Sequence, residues 1–157
     1  MKQELTLIKK GVDYGSYDSI VIMKHISDIE GGRTLDMEGY PEDVLFAGHI
    51  IISKVNAESG EKTYLPMPVK VKTETVDGQT KEVVDEDGNK VYEYDTLPSG
   101  AAYEGVLYRS ILKEKPAASI MFDGIVNDKV MKIQLGTAES GFKAACAHII
   151  FKHDEEA

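Results

Sequence analysis

Few residues in this chain have the types and spacing that chemistry needs. The first to consider is Gly136 to Ala144, GTAESGFKA, which carries the two glycines of a phosphate-binding loop. Its lysine, Lys143, comes one place too late, and Ala144 stands where a hydroxyl must hold magnesium. Ser140 also misses a nucleophile elbow, because Ala138 and Phe142 occupy the two glycine positions. The segment reads as a turn and a short helix. Asp85-Glu86-Asp87-Gly88 opens like a calcium loop, but its glycine comes fourth where the pattern needs it sixth. A solvated hairpin turn fits better. Cys146 and His148 share a face if their segment is a strand. Zinc needs about four ligands, and His25, His49 and His153 are scattered. Cys146 is therefore expected to be a buried thiol in a closing strand, and His49 a strand residue with a satisfied ring. Asp123 is the one acid between apolar neighbours, and is expected to bond backbone amides at a bend. No catalytic, cofactor-binding or metal-binding residue is assigned, and the expectation is that the chain is not an enzyme.

The elements that would position these residues are mostly strands. Leu5 and Leu7 alternate with polar neighbours and permit one short strand, with GVDYGSYDS after it as a loop. In Ser19–Ile29, the β-branched Ile20, Val21 and Ile22 favour strand, ended by Gly31-Gly32. Leu35 and Met37 alternate, and Gly39-Tyr40-Pro41 is a turn. Gly48 marks a bend or close backbone approach before the clearest strand, His49–Val55. The prolines of YLPMPVKVK confine that segment's start to an edge or extended strand, and the lysines leave one face wet.

Residues 73–96 are the most polar stretch, with hairpin cues at Asp77-Gly78 and Asp87-Gly88-Asn89 and flanking strands at Val83-Val84 and Val91–Tyr94. They read as a solvent-facing insertion that adds little to the core. Core strands follow at Tyr103–Leu112 and Ala117–Val126, the second bent at Gly124. Asn127 is a candidate N-cap, with Val130, Ile133 and Leu135 on one helical face and Gly136 as the stop. Glu139–Ala145 is a second helical piece, and Ala147–Lys152 a closing strand. The fold class is mainly β with one or two short helices (α+β), as a compact β-barrel or β-sandwich-like domain. Residues 1–19 form an N-terminal arm, and 20–157 one domain carrying the 73–96 hairpin insertion.

Composition bounds the partners. At 157 residues and 42% hydrophobic, the chain can bury one sizeable core. The net charge of −9, with lysine and arginine scattered, disfavours nucleic acid and anionic membranes. Cys146 is the only cysteine, so no internal disulfide forms and a reducing cytoplasm is the default site of folding. The N-terminal MKQELTLIKKGVDYG does not read as a secretory signal, and no apolar run approaches a membrane span.

Three segments together resemble the phage head decoration (auxiliary capsid, or cement) proteins of the lambda-type family. They are GGRTLDMEGYPEDVLFAGHIII at 31–52, TYLPM at 63–67, and YEGVLYRSI…PAASIMFDGIVNDKVM at 103–131. Within the last, Gly105-Val106-Leu107, then Ala117–Phe122, then Gly124-Ile125-Val126-Asn127 carry the likeness. It covers roughly residues 31–150, leaving the N-terminus and the 73–96 insertion outside it. The resemblance implies a mixed β domain with a short helix, assembling as a homotrimer on the outer capsid surface. The implied partner is the major capsid protein, with no cofactor, and the implied location is the virion after synthesis in the host cytoplasm. An N-terminal arm in this family can add a strand to the capsid protein. Here the capsid-binding candidates are Leu5, Leu7, Ile8, Tyr14 and Tyr17.

Two other classes compete. A head fibre-base or host-surface-binding module would use the polar 73–96 hairpin to bind surface glycan. A small β-barrel enzyme or ligand-binding protein would rest on Asp123, Tyr103 and Tyr108 near the glycine bends.

Overall fold

The computed structural model describes residues 14–153. A single helical turn, α1 (Asp18–Val21), leads into β1 (Ile22–Asp28). Then come β2 (Arg33–Thr34), β3 (Val44–Leu45), β4 (Ile50–Val55), β5 (Lys62–Pro66) and β6 (Val69–Val71). The hairpin β7 (Thr73–Val76) and β8 (Gln79–Glu82) is followed by β9 (Tyr92–Tyr94) and β10 (Ala101–Leu107). β11 (Ile111–Leu112), β12 (Ala117–Ala118), β13 (Ile120–Asn127), a 3-10 turn (Gly136–Ala138), α2 (Glu139–Ala145) and β14 (Ile149–Lys152) complete the chain. The protein is mainly β with two short helices, and its sheets do not close into a barrel.

The main sheet runs β1-β13-β10-β4-β5, and β14 lies parallel to the second half of β13. β13 changes partner along its length. Ile120 and Met121 pair with β10, and Gly124–Asn127 pair with β14. Two glycines allow this crowding. A Cβ at Gly105 would press into the Met121 carbonyl, and one at Gly124 into the Lys24 carbonyl. Pro66 sits in β5, an end strand of this path, where a missing N–H is tolerated. Glu104 of β10 accepts from Ser53 Oγ of β4 at 2.6 Å and pairs with Lys62 of β5 at 2.5 Å, tying three strands together.

The centre of the sheet is buried on both faces, which explains its continuous apolar runs. Ile50, Ile52, Val106 and Met121 face a core completed by Phe142, Met131, Ile133 and Leu135. Their neighbours Ile51, Leu107 and Ile120 face a second core with Leu35, Met37, Tyr40 and Leu45. Each fully buried isoleucine contributes about 1.5–3 kcal/mol of burial.

Several local expectations give way to packing. Ile20 and Val21 lie in α1, and the strand begins at Ile22. The Asp18 carboxylate accepts from the backbone N–H and Oγ of Ser110 at 2.8 and 2.5 Å, which anchors that turn and seats Val21 over Gly48. The strand expected over 103–112 splits into β10 and β11, because Ile111-Leu112 leave the main sheet to pair with β3.

The helix expected after Asn127 does not form. The Asn127 side chain accepts from Lys129 N–H in a tight turn, and Met131, Ile133 and Leu135 are buried at every second residue. Val130, assigned to the same helical face, is exposed. Gly136 opens the 3-10 turn rather than ending a helix, whereas α2 spans the expected Glu139–Ala145.

The polar insertion is exposed throughout β7 and β8, turning on Asp77 (φ 52°) and Gly78 (φ 76°). Positive φ at both central residues is what a two-residue hairpin requires. Its far end, however, enters the core. Tyr94 is buried and its hydroxyl accepts from Ile50 N–H at 3.0 Å. The expected pairing across the Asp87-Gly88 turn is short, a Val84–Lys90 bridge with Val91 N–H donating to the Val83 carbonyl at 3.0 Å, and β9 beyond it pairs with β6.

Candidate functional site

The segment that enters the fold from the N-terminus builds an exposed apolar edge. β1 is an end strand of the main sheet, with β13 as its only partner strand among the described residues. Tyr17, Ile20, Met23 and Ile26 are 71%, 48%, 49% and 51% exposed, all within ten residues of this edge. β1 pairs irregularly, with register shifts at Ile22/Lys24, His25/Ser27 and Ser27/Asp28. Such bulges twist an edge and aim side chains outward.

Beside this edge lies an open cleft of about 270 Å³ between α1 and the end of β10, lined by Asp18, Ser19, Ile22, Tyr108 and Arg109. The Arg109 guanidinium sits 5.2 Å from the Tyr108 ring centre, and the Tyr108 ring meets that of His25 at 4.4 Å, tilted by 43°. Arg109 has no ion-pair partner among the described residues. Tyrosine, methionine and arginine beside a strand edge are the composition of a protein-contact surface. Of the expected arm residues, Leu5, Leu7 and Ile8 lie outside the described residues, Tyr14 is half-buried, and Tyr17 is exposed.

A second cleft, of about 190 Å³, lies where the base of the polar insertion meets the 132–133 segment. Tyr40 and Tyr92 contribute rings and hydroxyls, Glu42 a carboxylate, Lys132 an ammonium. Burial, and then the charges of Glu42 and Tyr92, holds the Tyr40 hydroxyl well above the usual tyrosine range. The hydroxyl therefore stays protonated and able to donate.

The remaining candidates are structural. His49 is buried, and its Nε2–H donates to the Met67 carbonyl at 3.0 Å. Tyr40 and Tyr94 meet its ring edge-on at 5.6 and 5.1 Å. Burial lowers its pKa to about 4, only partly offset by the Met67 bond. Cys146 is buried at the end of α2, before the closing strand starts at Ile149, and His148 is exposed. Burial, then the nearby Glu104 charge, pushes the thiol up to about 11.

Asp85 accepts from Asp87 and Asn89 N–H at 3.0 and 2.9 Å, a turn rather than a cation loop. Lys143 pairs with Glu139 at 2.6 Å on α2. Among the described residues, no three His, Cys, Asp or Glu side chains converge to hold a metal. No described helix is long and apolar enough to cross a membrane.

Asp123 lies opposite Ser27 in β13, and among the described residues its carboxylate takes no backbone amide. Tyr103 packs edge-on against Phe142, far along β10 from Tyr108. Neither of the two clefts above is lined by two of Asp123, Tyr103 and Tyr108.

No family model, no curated protein and no solved structure matches this chain.

Residue patterns alone missed Ile20, Met23, Ile26 and Arg109. In the sequence, Ile20 and Met23 belong to an apolar run that reads as buried, and nothing local distinguishes an end strand from a central one. The lone signal was Lys24-His25 inside that run, which a strand buried on both faces would not carry.

Proposed function

We propose that this chain is a structural protein that coats the outer surface of a phage capsid, seated as a homotrimer on the major capsid protein. The resemblance in the Gly105–Leu107 and Ala117–Asn127 strands suggests this reading. The observation that carries it is the edge formed by α1 and β1. Among the described residues β1 is an end strand of the sheet, flanked by the exposed Tyr17, Ile20, Met23 and Ile26 and by Arg109, which has no ion-pair partner among those residues.

The physical account follows from repetition. A strand added to an open edge gains backbone hydrogen bonds without demanding particular side chains, and apolar neighbours add about 25 cal/mol per Å² buried. One such contact is modest. Three per trimer, repeated over a symmetric shell, resist expansion together.

The test is co-sedimentation with capsids, alongside light scattering to read the protomer number. The truncation must end at residue 13, because Asp18 holds Ser110 and belongs to the folded body. The truncated protein should keep its thermal unfolding transition and lose capsid binding. Met23→Lys with Ile26→Lys should weaken binding by about tenfold or more. Undiminished binding by both variants would remove the α1–β1 edge from the contact and the reading with it.

A further inference from the structure

We infer that the cleft between the base of the polar insertion and the 132–133 segment is a binding site for one neutral sugar ring. This does not rest on the capsid reading, because it concerns different residues at a different place in the fold.

The argument is one of elimination among side chains. Two of the four charges around the cleft are already engaged. Lys90 pairs with Glu82 at 3.2 Å, and one Asp85 carboxylate oxygen accepts from the Asp87 and Asn89 amides, Asp85 staying charged with its pKa held down by the Asn89 bonds and, further off, the Lys132 ammonium. What stays open is the Glu42 carboxylate, the Lys132 ammonium and the hydroxyls of Tyr40 and Tyr92. None of these four groups has a hydrogen-bond or ion-pair partner among the described residues. Lys132 is placed by its approach to the Phe46 ring, 5.7 Å from its centre.

Two carboxylates, Glu42 and Asp85, and two ammoniums, Lys90 and Lys132, line the cleft, so its charges balance and favour neither sign. An inorganic anion meets Glu42, and a cation meets Lys132. A ligand carrying several neighbouring hydroxyls satisfies both, because each hydroxyl donates to a carboxylate and accepts from an ammonium. Two tyrosine rings and the apolar Val91 and Ile133 offer surface for the C–H face of such a ring. A mostly apolar lining with a few fixed polar groups is how small-ligand sites are generally made. The volume of about 190 Å³ holds a single ring, not a chain.

The cleft also sits in a rigid place. Tyr40 is a core residue, and Tyr92 is paired to Val71 in the β6–β9 ribbon. The exposed β7–β8 hairpin stands beside the cleft rather than forming it, so its tip is not the recognition element.

The experiment is an amide NMR titration of the full chain with glucose, galactose, mannose and N-acetylglucosamine, each also as its methyl glycoside, to about 50 mM. Shifts confined to residues around Tyr40, Tyr92 and Lys132, saturating in the millimolar range, are the expected result. Tyr92→Ala and Glu42→Gln should each weaken binding about tenfold. Should Tyr92→Ala fail to fold, Lys132→Ala changes an exposed side chain and reads the same loss. Equal binding of a methyl glycoside assigns the site to a chain-end sugar, and binding of the reducing sugar alone to a free one. No shift with any sugar, or binding unchanged in Glu42→Gln and Lys132→Ala, overturns the inference. Capsid co-sedimentation is run without sugar, so the two proposals fail independently.

Discussion

Lowering the pH from 7 to 5 should cost this protein about 2 kcal/mol of stability through His49 alone. The ring is buried, its Nε2–H is held by the Met67 carbonyl, and burial drops its pKa from 6.5 to about 4. The unfolded chain therefore binds a proton at pH 5 that the native state refuses. With a depressed folded pKa on a base, stability falls as pH falls through 6.5 and levels off near 4, where the native ring is protonated too. At 1.36 kcal/mol per pKa unit, that window gives about 2 kcal/mol at pH 5. In urea this moves the midpoint down by about 1 M, for a slope of about 2 kcal/mol per M.

The assay is a set of urea melts at pH 7, 6 and 5 on the parent and on His49→Phe. The variant keeps an aromatic ring between Tyr40 and Tyr94 but leaves the Met67 carbonyl without its donor. It should be about 1–3 kcal/mol less stable at pH 7. Its loss from pH 7 to 5 should be smaller than the parent's by about 2 kcal/mol. The other three histidines and the carboxylates are common to both proteins, so their titration cancels in the difference. Parallel stability curves for the two proteins would refute a buried neutral His49.

Other consequences follow from single contacts. Gly105→Ala forces a methyl into the Met121 carbonyl where β10 leaves β13, so it should destabilise by about 3 kcal/mol or prevent folding, read by thermal melts. Asp18→Ala removes both bonds to Ser110 and should cost about 1.5–3 kcal/mol, with hydrogen exchange rising first in α1 and at Ser110. Cys146, with its thiol pushed up to about 11, should resist a thiol reagent at pH 8 in the native state and react at once in urea. Rapid native labelling would show that the end of α2 opens far more readily than its packing implies.

The elements legible in the sequence are those whose cause is local. Asp77-Gly78 dictates a tight hairpin wherever it sits, because few other pairs accept positive φ at both positions. The β-branched run Ile50-Ile51-Ile52 makes a strand on either face, and Glu139–Ala145 carries a helical i,i+4 pair between Glu139 and Lys143. The mainly β class with short helices follows from these pieces.

What only the tertiary structure decided is which alternative an ambiguous pattern takes. Val130, Ile133 and Leu135 suit a helical face, but Met131, Ile133 and Leu135 suit an extended chain. The latter wins because alternate residues reach the core beside Phe142. Tyr94 belongs by its neighbours to a polar insertion, yet Ile50 N–H needs an acceptor at that point. The same holds for the two candidate sites. Tyr17, Ile20, Met23 and Ile26 are exposed because β1 ends the sheet among the described residues, and Tyr40, Glu42, Tyr92 and Lys132 meet because three distant segments fold together. Local residue types fix what each segment can be, and long-range packing selects among those options, because only burial against a particular neighbour separates conformations of similar intrinsic energy.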